Sequence, residues 1–242
     1  KDEKGFIPWL AKKWTIDNKD DSITFDLHTN VKWHDGKPLT AEDIKFTIEY
    51  YDKFPPVVDQ THDNGESIIR KIEILPNNKI KFTFKKYSPL NLERIGTVKI
   101  IPKHIWEKID NPLAYTGEGY LVGSGPYKVI EYSSDKGSYA FEAFDDFWGM
   151  KPAAKRLEWI PISDPVLALE RGEVSIISVS PNVIDRYKNN KKYGLVIENS
   201  FHTFRLVWNQ KKVKEIQNKN VRKAIAYAIN RESLIDKLEK GY

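Results

Sequence analysis

The chain reads as a mixed α/β (α+β) fold. Three observations predict it. Paired runs alternate apolar and polar residues around short turns, as in residues 79–85, so one face is buried and the other wet. A capped segment over residues 41–52 carries Ile44, Ile48 and Tyr51 at i, i+4 and i+7, the helical period. Further on, residues 155–179 read strand, helix, strand, the unit that builds an α/β sheet.

With 242 residues the chain is long enough to bury a real core, as one large domain or two small ones. Hydrophobic content of 40% and charged content of 30% are ordinary for a globular protein. The 7 Trp and 12 Tyr fit a ligand-binding cleft or a packed β-rich core. The net charge is +5, carried by lysines spread along the chain, with short clusters only at 188–192 and 210–214. That is a solvated surface, and no nucleic-acid partner is expected. Cysteine is absent, which excludes a disulfide scaffold, a thiol nucleophile and a Cys-ligated zinc site. No apolar run approaches the length of a transmembrane helix. The chain opens on Lys1-Asp2-Glu3-Lys4, with no start methionine and no signal peptide, so Lys1 is expected to lie inside a longer gene product.

In chain order, residues 6–14 are aromatic-rich and interrupted by Pro8, which predicts a short helical turn. Residues 17–21 form a turn, and 23–27 alternate as the return strand. The stretch from Val31 to Ile44 is a strand end, a tight turn and a helix start. Val31 and Trp33 alternate with Lys32 and His34, and Asp35-Gly36 is a turn dipeptide. Thr40 can cap the helix, with Asp43 placed to bond back to it. His34-Asp35 invites a catalytic or metal reading, but a turn with a satisfied histidine explains it better. Phe54-Pro55-Pro56 stops the helix. Residues 56–65 form a polar loop, in which His62 without a ligand-spaced partner reads as an exposed loop histidine.

Residues 68–75 and 79–85 form a hairpin around Pro76-Asn77-Asn78. A short helix over 88–95, a strand over 98–101 and a helix over 103–108, opened by Pro102, follow. Val122-Gly123-Ser124-Gly125-Pro126-Tyr127 is a glycine crossing into a strand. It has neither a Gly-Lys-Ser/Thr end nor dinucleotide spacing, so no phosphate loop and no cofactor are expected. Residues 129–132 and 138–144 make another hairpin, and 155–161 a strand. Asp164 caps a helix with Pro165 at its first position, ended by Gly172, and 174–179 is a strand. Strands are expected at 195–198 and 202–209. Asn220 is expected to cap a helix with an apolar face of Val221, Ala224, Ile225, Ala228 and Ile229, and Asn230 to start a second one through Lys240.

Several of these stretches carry a resemblance. The wording Val31-Lys32-Trp33-His34-Asp35-Gly36-Lys37-Pro38-Leu39-Thr40-Ala41-Glu42-Asp43-Ile44 resembles the signature of the extracellular solute-binding proteins of family 5, the binding components of ABC importers for oligopeptides, dipeptides and nickel. Gly123-Ser124-Gly125-Pro126-Tyr127, Asp145-Asp146-Phe147-Trp148-Gly149 and the run from Val221 to Ile235 are similar to further family motifs, in family order. The resemblance runs from Leu10 to Tyr242 and implies a periplasmic-binding-protein-like lobe one, present in part. Residues 1–121 would be its β-rich accessory subdomain and 122–242 part of its main α/β subdomain. Family members are longer, with an earlier strand and a second lobe, so the chain is expected to be a fragment.

The resemblance implies a protein that is not an enzyme: two lobes close on a small solute and deliver it to membrane permease subunits. It implies an extracytoplasmic monomer, lipid-anchored at full length. The family counterpart of the strand at 202–209 faces the cleft. The resemblance therefore makes Ser124, His202, Thr203, Phe204, Arg205, Trp208 and Tyr242 the ligand-binding candidates. Peptide leads over nickel, because His28, His34, His62, His104 and His202 are scattered and no metal site is expected. A carbohydrate-active enzyme or a carbohydrate-binding domain is the competing reading for a Trp-rich chain. Asp145-Asp146 and Glu42-Asp43 are sequence neighbours that do not oppose one another as catalytic acids would, and Gly-x-Ser-x-Gly is absent.

Overall fold

The computed structural model describes residues 5–117, 119–197 and 205–240. The chain divides into two units, Lys1–Pro161 and Ile162–Tyr242. In the first unit the order is β1 (Ala11–Asp17), β2 (Ser22–Leu27), α1 (Ala41–Lys53), β3 (His62–Asp63), β4 (Glu66–Ser67), β5 (Ile69–Leu75) and β6 (Lys79–Phe84). Then come α2 (Asn91–Gly96), α3 (Lys103–Trp106), β7 (Tyr127–Ser133), β8 (Ser138–Ala143) and β9 (Arg156–Trp159).

The larger sheet has the order β1-β2-β6-β5, all antiparallel. Its two central strands carry the strict alternation seen in the sequence. Ile23, Phe25 and Leu27 of β2 and Ile80, Phe82 and Phe84 of β6 are all buried, with Ile23 opposite Phe82 and Phe25 opposite Ile80. A slip of one residue would turn Lys79 and Lys81 inward, so the pattern fixes the register. α1 lays Ile44 and Ile48 on this face. The three-residue β5–β6 turn, Pro76 to Asn78, holds Asn77 at φ 62° and Asn78 at φ 56°, left-handed values that asparagine tolerates.

α1 begins as its sequence dictates. The Thr40 N–H donates to Asp43 Oδ2 at 2.8 Å, and the Thr40 hydroxyl donates to the same oxygen at 3.2 Å. The other oxygen, Oδ1, accepts the Lys103 N–H at 3.0 Å, so one buried carboxylate caps α1 and holds the start of α3.

Four expectations for this unit are corrected. Residues 11–17 are edge strand β1 and not part of a helical turn; pairing with β2 overrides the local preference. Residues 98–101 make no strand, because α1 side chains take over the ladder: Thr47 Oγ accepts the Ile101 N–H at 3.0 Å, and the Tyr51 hydroxyl donates to Lys99 O at 2.7 Å. The helices expected at 88–95 and 103–108 are the shorter α2 and α3. His62 is not an exposed loop residue; it sits half-buried in the β3–β4 hairpin.

The second sheet, β7-β8-β9, is an antiparallel meander in which Tyr139 stacks on Trp159 with ring centroids 5.9 Å apart. In the second unit α4 (Pro165–Arg171) is capped by Asp164, whose Oδ1 accepts the Leu167 N–H at 3.0 Å, and stops at Gly172 with φ 75°. α5 (Ile184–Tyr187), α6 (Lys219–Ala228) and α7 (Arg231–Leu234) follow. The cap of α6 is Asn218 and not Asn220: its side chain accepts the Asn220 N–H at 2.8 Å. Asn230 caps α7 as expected, and the helix continues as a π turn over Ile235–Glu239. Among the described residues, 174–179, 195–197 and 205–209 form no strand, because no neighbouring backbone there supplies ladder bonds.

Asp43→Ala strips the acceptor from three donors at once, the Thr40 N–H and hydroxyl and the Lys103 N–H. It is expected to cost about 3 kcal/mol in urea denaturation, with Asp43→Asn losing less.

Candidate functional site

The turn after Val31 positions the glycine crossing. Gly36 takes φ 85°, which lets Trp33 accept from the Gly36 N–H at 2.9 Å and aims His34 outward from a buried tryptophan. The His34 N–H then donates to Gly123 O at 2.8 Å. Its ring closes the contact from both sides: the Gly123 N–H donates to Nδ1 at 3.2 Å, and Nε2–H donates to Gly125 O at 3.0 Å. One ring nitrogen accepts and the other donates, which is the neutral imidazole. A Cβ on Gly123 would lie 3.4 Å from His34 Cε1, an ordinary contact distance, so the loop already packs closely on the ring. Phe144 packs edge-on against the ring at 5.2 Å.

Burial is the main force holding His34 below the usual imidazole range, aided by the Lys128 charge and opposed by the Gly125 carbonyl and Asp35. Asp35 serves the turn as well. Its Oδ1 accepts the Lys37 N–H at 3.2 Å and its Oδ2 meets His104 Nε2 at 2.6 Å, fastening the turn to α3. Burial pushes the Asp35 carboxyl up, but the His104 and Lys37 bonds outweigh it and keep the carboxyl below its ordinary value. The expectation of a satisfied turn histidine holds.

Ser124, at the middle of this loop, lines a cavity of about 610 Å³. The walls are apolar side chains of β1, β2, β6 and α2, with the 96–100 segment and the crossing loop. Trp9 and Trp148 border it with their rings edge to face at 5.4 Å, and His28 lies against Trp148 at 4.8 Å. Trp9 is 61% exposed. Among the described residues no carboxylate or imidazole lines the cavity; the polar side chains there are Thr97, Lys99 and Ser124. Such a surface suits holding an apolar body with a few oriented polar groups.

Of the candidates taken from the sequence, Ser124 lies at this cavity. Arg205 is exposed and Trp208 half-buried, both in the second unit. His202, Thr203, Phe204 and Tyr242 lie outside the described residues. The sequence reading missed Trp9, Trp148 and Thr97 as cavity residues; the signal was there in the tryptophan excess, but Trp148 stood inside a motif read only for its resemblance. The acidic neighbours are employed elsewhere: Asp146 pairs with Lys32 at 2.7 Å and Glu42 with Lys103 at 3.7 Å. Among the described residues no group of three His, Asp or Glu is placed to hold a metal, and no helix is long and apolar enough to cross a membrane.

The chain belongs to the bacterial extracellular solute-binding proteins, family 5, whose middle-region model matches residues 5–242. It is 26% identical to the nickel-binding periplasmic protein of Escherichia coli K12, over 95% of this chain and 45% of that protein. It is 25% identical to the dipeptide-binding protein of the same organism, over 97% and 48%. Among solved structures it matches NikZ from Campylobacter jejuni in complex with Ni(L-His), with a TM-score of 0.75, 26% identity, and coverage of 95% of this chain and 46% of that one. The chain thus spans about half the length of these relatives, and the mixed α/β fold expected from the sequence is the family's.

His34 stabilises the fold only when neutral. Its lowered folded-state value means that the contribution is present above the ordinary imidazole pKa of about 6.5 and is lost as pH falls through the lowered value. His34→Phe should cost about 2 kcal/mol at pH 7.5, by leaving the Gly123 N–H and Gly125 C=O without partners, and should flatten stability between pH 7 and 5. Urea melts of both proteins across that range check it.

Proposed function

We propose that this chain is part of the solute-capturing component of an ABC importer, and that its solute is an oligopeptide or dipeptide. The observation that carries the reading is the apolar cavity bordered by Trp9 and Trp148, with Ser124 and, among the described residues, no carboxylate or imidazole on its wall, in a chain of family 5. A nickel chelate asks for imidazole or carboxylate ligands, whereas a peptide asks for apolar pockets and a few polar anchors. The first relatives named bind dipeptide or nickel, so both solutes are in play for the family.

In this reading the whole protein captures solute by closure of two lobes, breaks no bond, and works as an extracytoplasmic, lipid-anchored monomer against permease subunits. Residues 1–121 serve as the accessory subdomain of lobe one and 122–242 as part of its main subdomain. Ser124, His202, Thr203, Phe204, Arg205, Trp208 and Tyr242 contribute to the near wall of the cleft. Support for a binder over an enzyme comes from the named relatives, which are binding proteins, and from Asp43 and Asp146 being committed to structural contacts.

Titration calorimetry on the whole protein, with a dipeptide and oligopeptide pool in one arm and Ni(L-His) in the other, tests the proposal. Stoichiometric peptide binding with Kd of about 1 μM or tighter is expected, the peptide being recovered intact. Trp148→Ala should weaken it about tenfold through loss of one aromatic contact. Saturable binding of the nickel chelate alone, or cleavage of the peptide, overturns the proposal.

A further inference from the structure

The chain between α1 and β3 leaves the helix at Phe54, passes Pro55 and Pro56, and turns with Val57 102% and Val58 73% exposed. It is fastened at its return by two sets of contacts of different chemistry. Toward α2 the fastening is permanent. Arg94 donates from Nε to Gln60 O at 2.7 Å and from Nη2 to His62 O at 2.7 Å, and its Nη1 meets Asp63 Oδ2 at 2.8 Å. The Thr97 hydroxyl adds a bond to Gln60 Oε1 at 2.6 Å. A guanidinium stays charged at every pH a protein survives.

Toward α1 the fastening runs through His62, whose side chain is 15% exposed. Its Nδ1 lies 2.7 Å from Asp59 Oδ2, and its Nε2 lies 3.2 Å from Asp52 Oδ1, on the last turn of α1. Asp59 is itself fixed, its Oδ1 accepting both the N–H and the hydroxyl of Thr61 at 2.8 Å. With its hydrogen given to Asp59, the Thr61 oxygen presents only lone pairs to Nδ1, 3.0 Å away. Every neighbour of the ring is therefore an acceptor: Asp52 from α1, and Asp59 and Thr61 from the loop. Arg94, from α2, reaches the backbone of His62 and not its ring. A neutral imidazole has one N–H and can satisfy one carboxylate only; the other nitrogen then turns a lone pair on the second.

We propose that His62 is a proton-operated clasp, which ties the loop at 54–61 to the end of α1 when a proton lies between Nε2 and Asp52, and releases it when that proton is lost. Asp59 and Thr61 retain Nδ1–H in both states, so the contact that changes is the one to α1. In the closed state the proton sits on Nε2, and the ring donates it across the 3.2 Å contact to Asp52. Burial pushes the Asp52 carboxyl up, with Asp59 adding to the push and His62 opposing it, so this carboxyl gains from sharing. The α2 fastening holds throughout, so release frees the exposed valine turn while β3 and β4 stay in place.

The test is hydrogen exchange of the whole protein followed by mass spectrometry from pH 5.5 to 8.5, with times matched for intrinsic exchange. Peptides covering 54–61 should lose at least threefold protection as pH rises, while β5 and β6 stay constant. In Asp52→Asn the amide N–H donates to the bare Nε2 of the neutral ring and the amide oxygen accepts from Nε2–H of the charged ring, so protection there should become independent of pH. Nitrogen shifts of labelled histidine provide a second reading that needs no variant. At low pH both nitrogens of His62 should be protonated, and on titration only Nε2 should lose its proton. Loop protection that is flat in the unmodified protein, equal pH dependence in Asp52→Asn, or a His62 ring that keeps a bare nitrogen down to pH 5 overturns the clasp.

Discussion

The contact on which the first unit depends is the one between His34 and the glycine crossing. The turn that carries it also faces every neighbour of this region. Lys32 reaches Asp146, Trp33 fills the core beneath, His34 grips Gly123 and Gly125, Asp35 takes His104, and Asp43 caps α1 while holding the start of α3. Lys32 to Asp35 are consecutive residues: extended backbone aims Lys32 and Trp33 to opposite sides, and a sharp turn after them aims His34 and Asp35 at their own partners. Gly36 at φ 85° makes that turn. The constraint is thus geometric first and chemical second: a fixed turn, then partners in fixed directions.

Magnitudes explain why the region tolerates a defect. Trp33 is fully buried, yet its indole N–H has no acceptor among the described residues. An unmet buried donor costs roughly 1–3 kcal/mol. Burying some 200 Å² of indole at about 25 cal/mol per Å² returns about 5 kcal/mol, so packing wins. The ring spends that surplus in the right place. Val31, Trp33 and Leu39 form a small cluster against Leu10, Ile100, Val122 and Trp148. These are the segments that shape the cavity beside Ser124: the start of β1, the 98–101 stretch, the crossing and the aromatic rim. The cavity keeps its walls because side chains that line it, among them Phe25, Ile80 and Phe82, belong to the buried sheet core, while the Trp33 cluster braces the crossing beside it.

Much of this was legible. Alternation at 23–27 and 79–84 located the central strands, because a one-sided sheet leaves its period in the sequence. Thr40-x-x-Asp43 announced the α1 cap, and Asp164-Pro165 with Gly172 bracketed α4. What failed has a common cause: a sequence states which residues want burial, but not whose N–H and C=O will meet theirs. Residues 98–101 have strand composition, yet the Thr47 and Tyr51 hydroxyls answer their backbone. Residues 11–17 looked interrupted by Pro8, yet β2 supplied an edge to pair with. Of the cavity, Ser124 was legible through its motif. Trp9 and Trp148 were not, because an aromatic in a core and an aromatic at a rim are the same letter.

Two of this unit's histidines show the limit most sharply. His34 and His62 each use both ring nitrogens, and both are partly buried. Around His34 stand one donor and one acceptor, both backbone groups held by a glycine loop, so the ring needs a single hydrogen. Around His62 stand acceptors only, two of them carboxylates, so the ring asks for a second proton. One therefore binds best without charge and the other best with it. The residue type sets neither preference; the direction of the partners' hydrogens does. The partners of His62 are local, Asp59 three residues before it and Asp52 one helix end away, whereas those of His34 are about ninety residues distant. A fold that places backbone donors by long-range pairing and carboxylates by short-range turns can hold opposite protonation states in one subdomain. The same pH change would then act on the two in opposite senses, tightening one contact while it loosens the other.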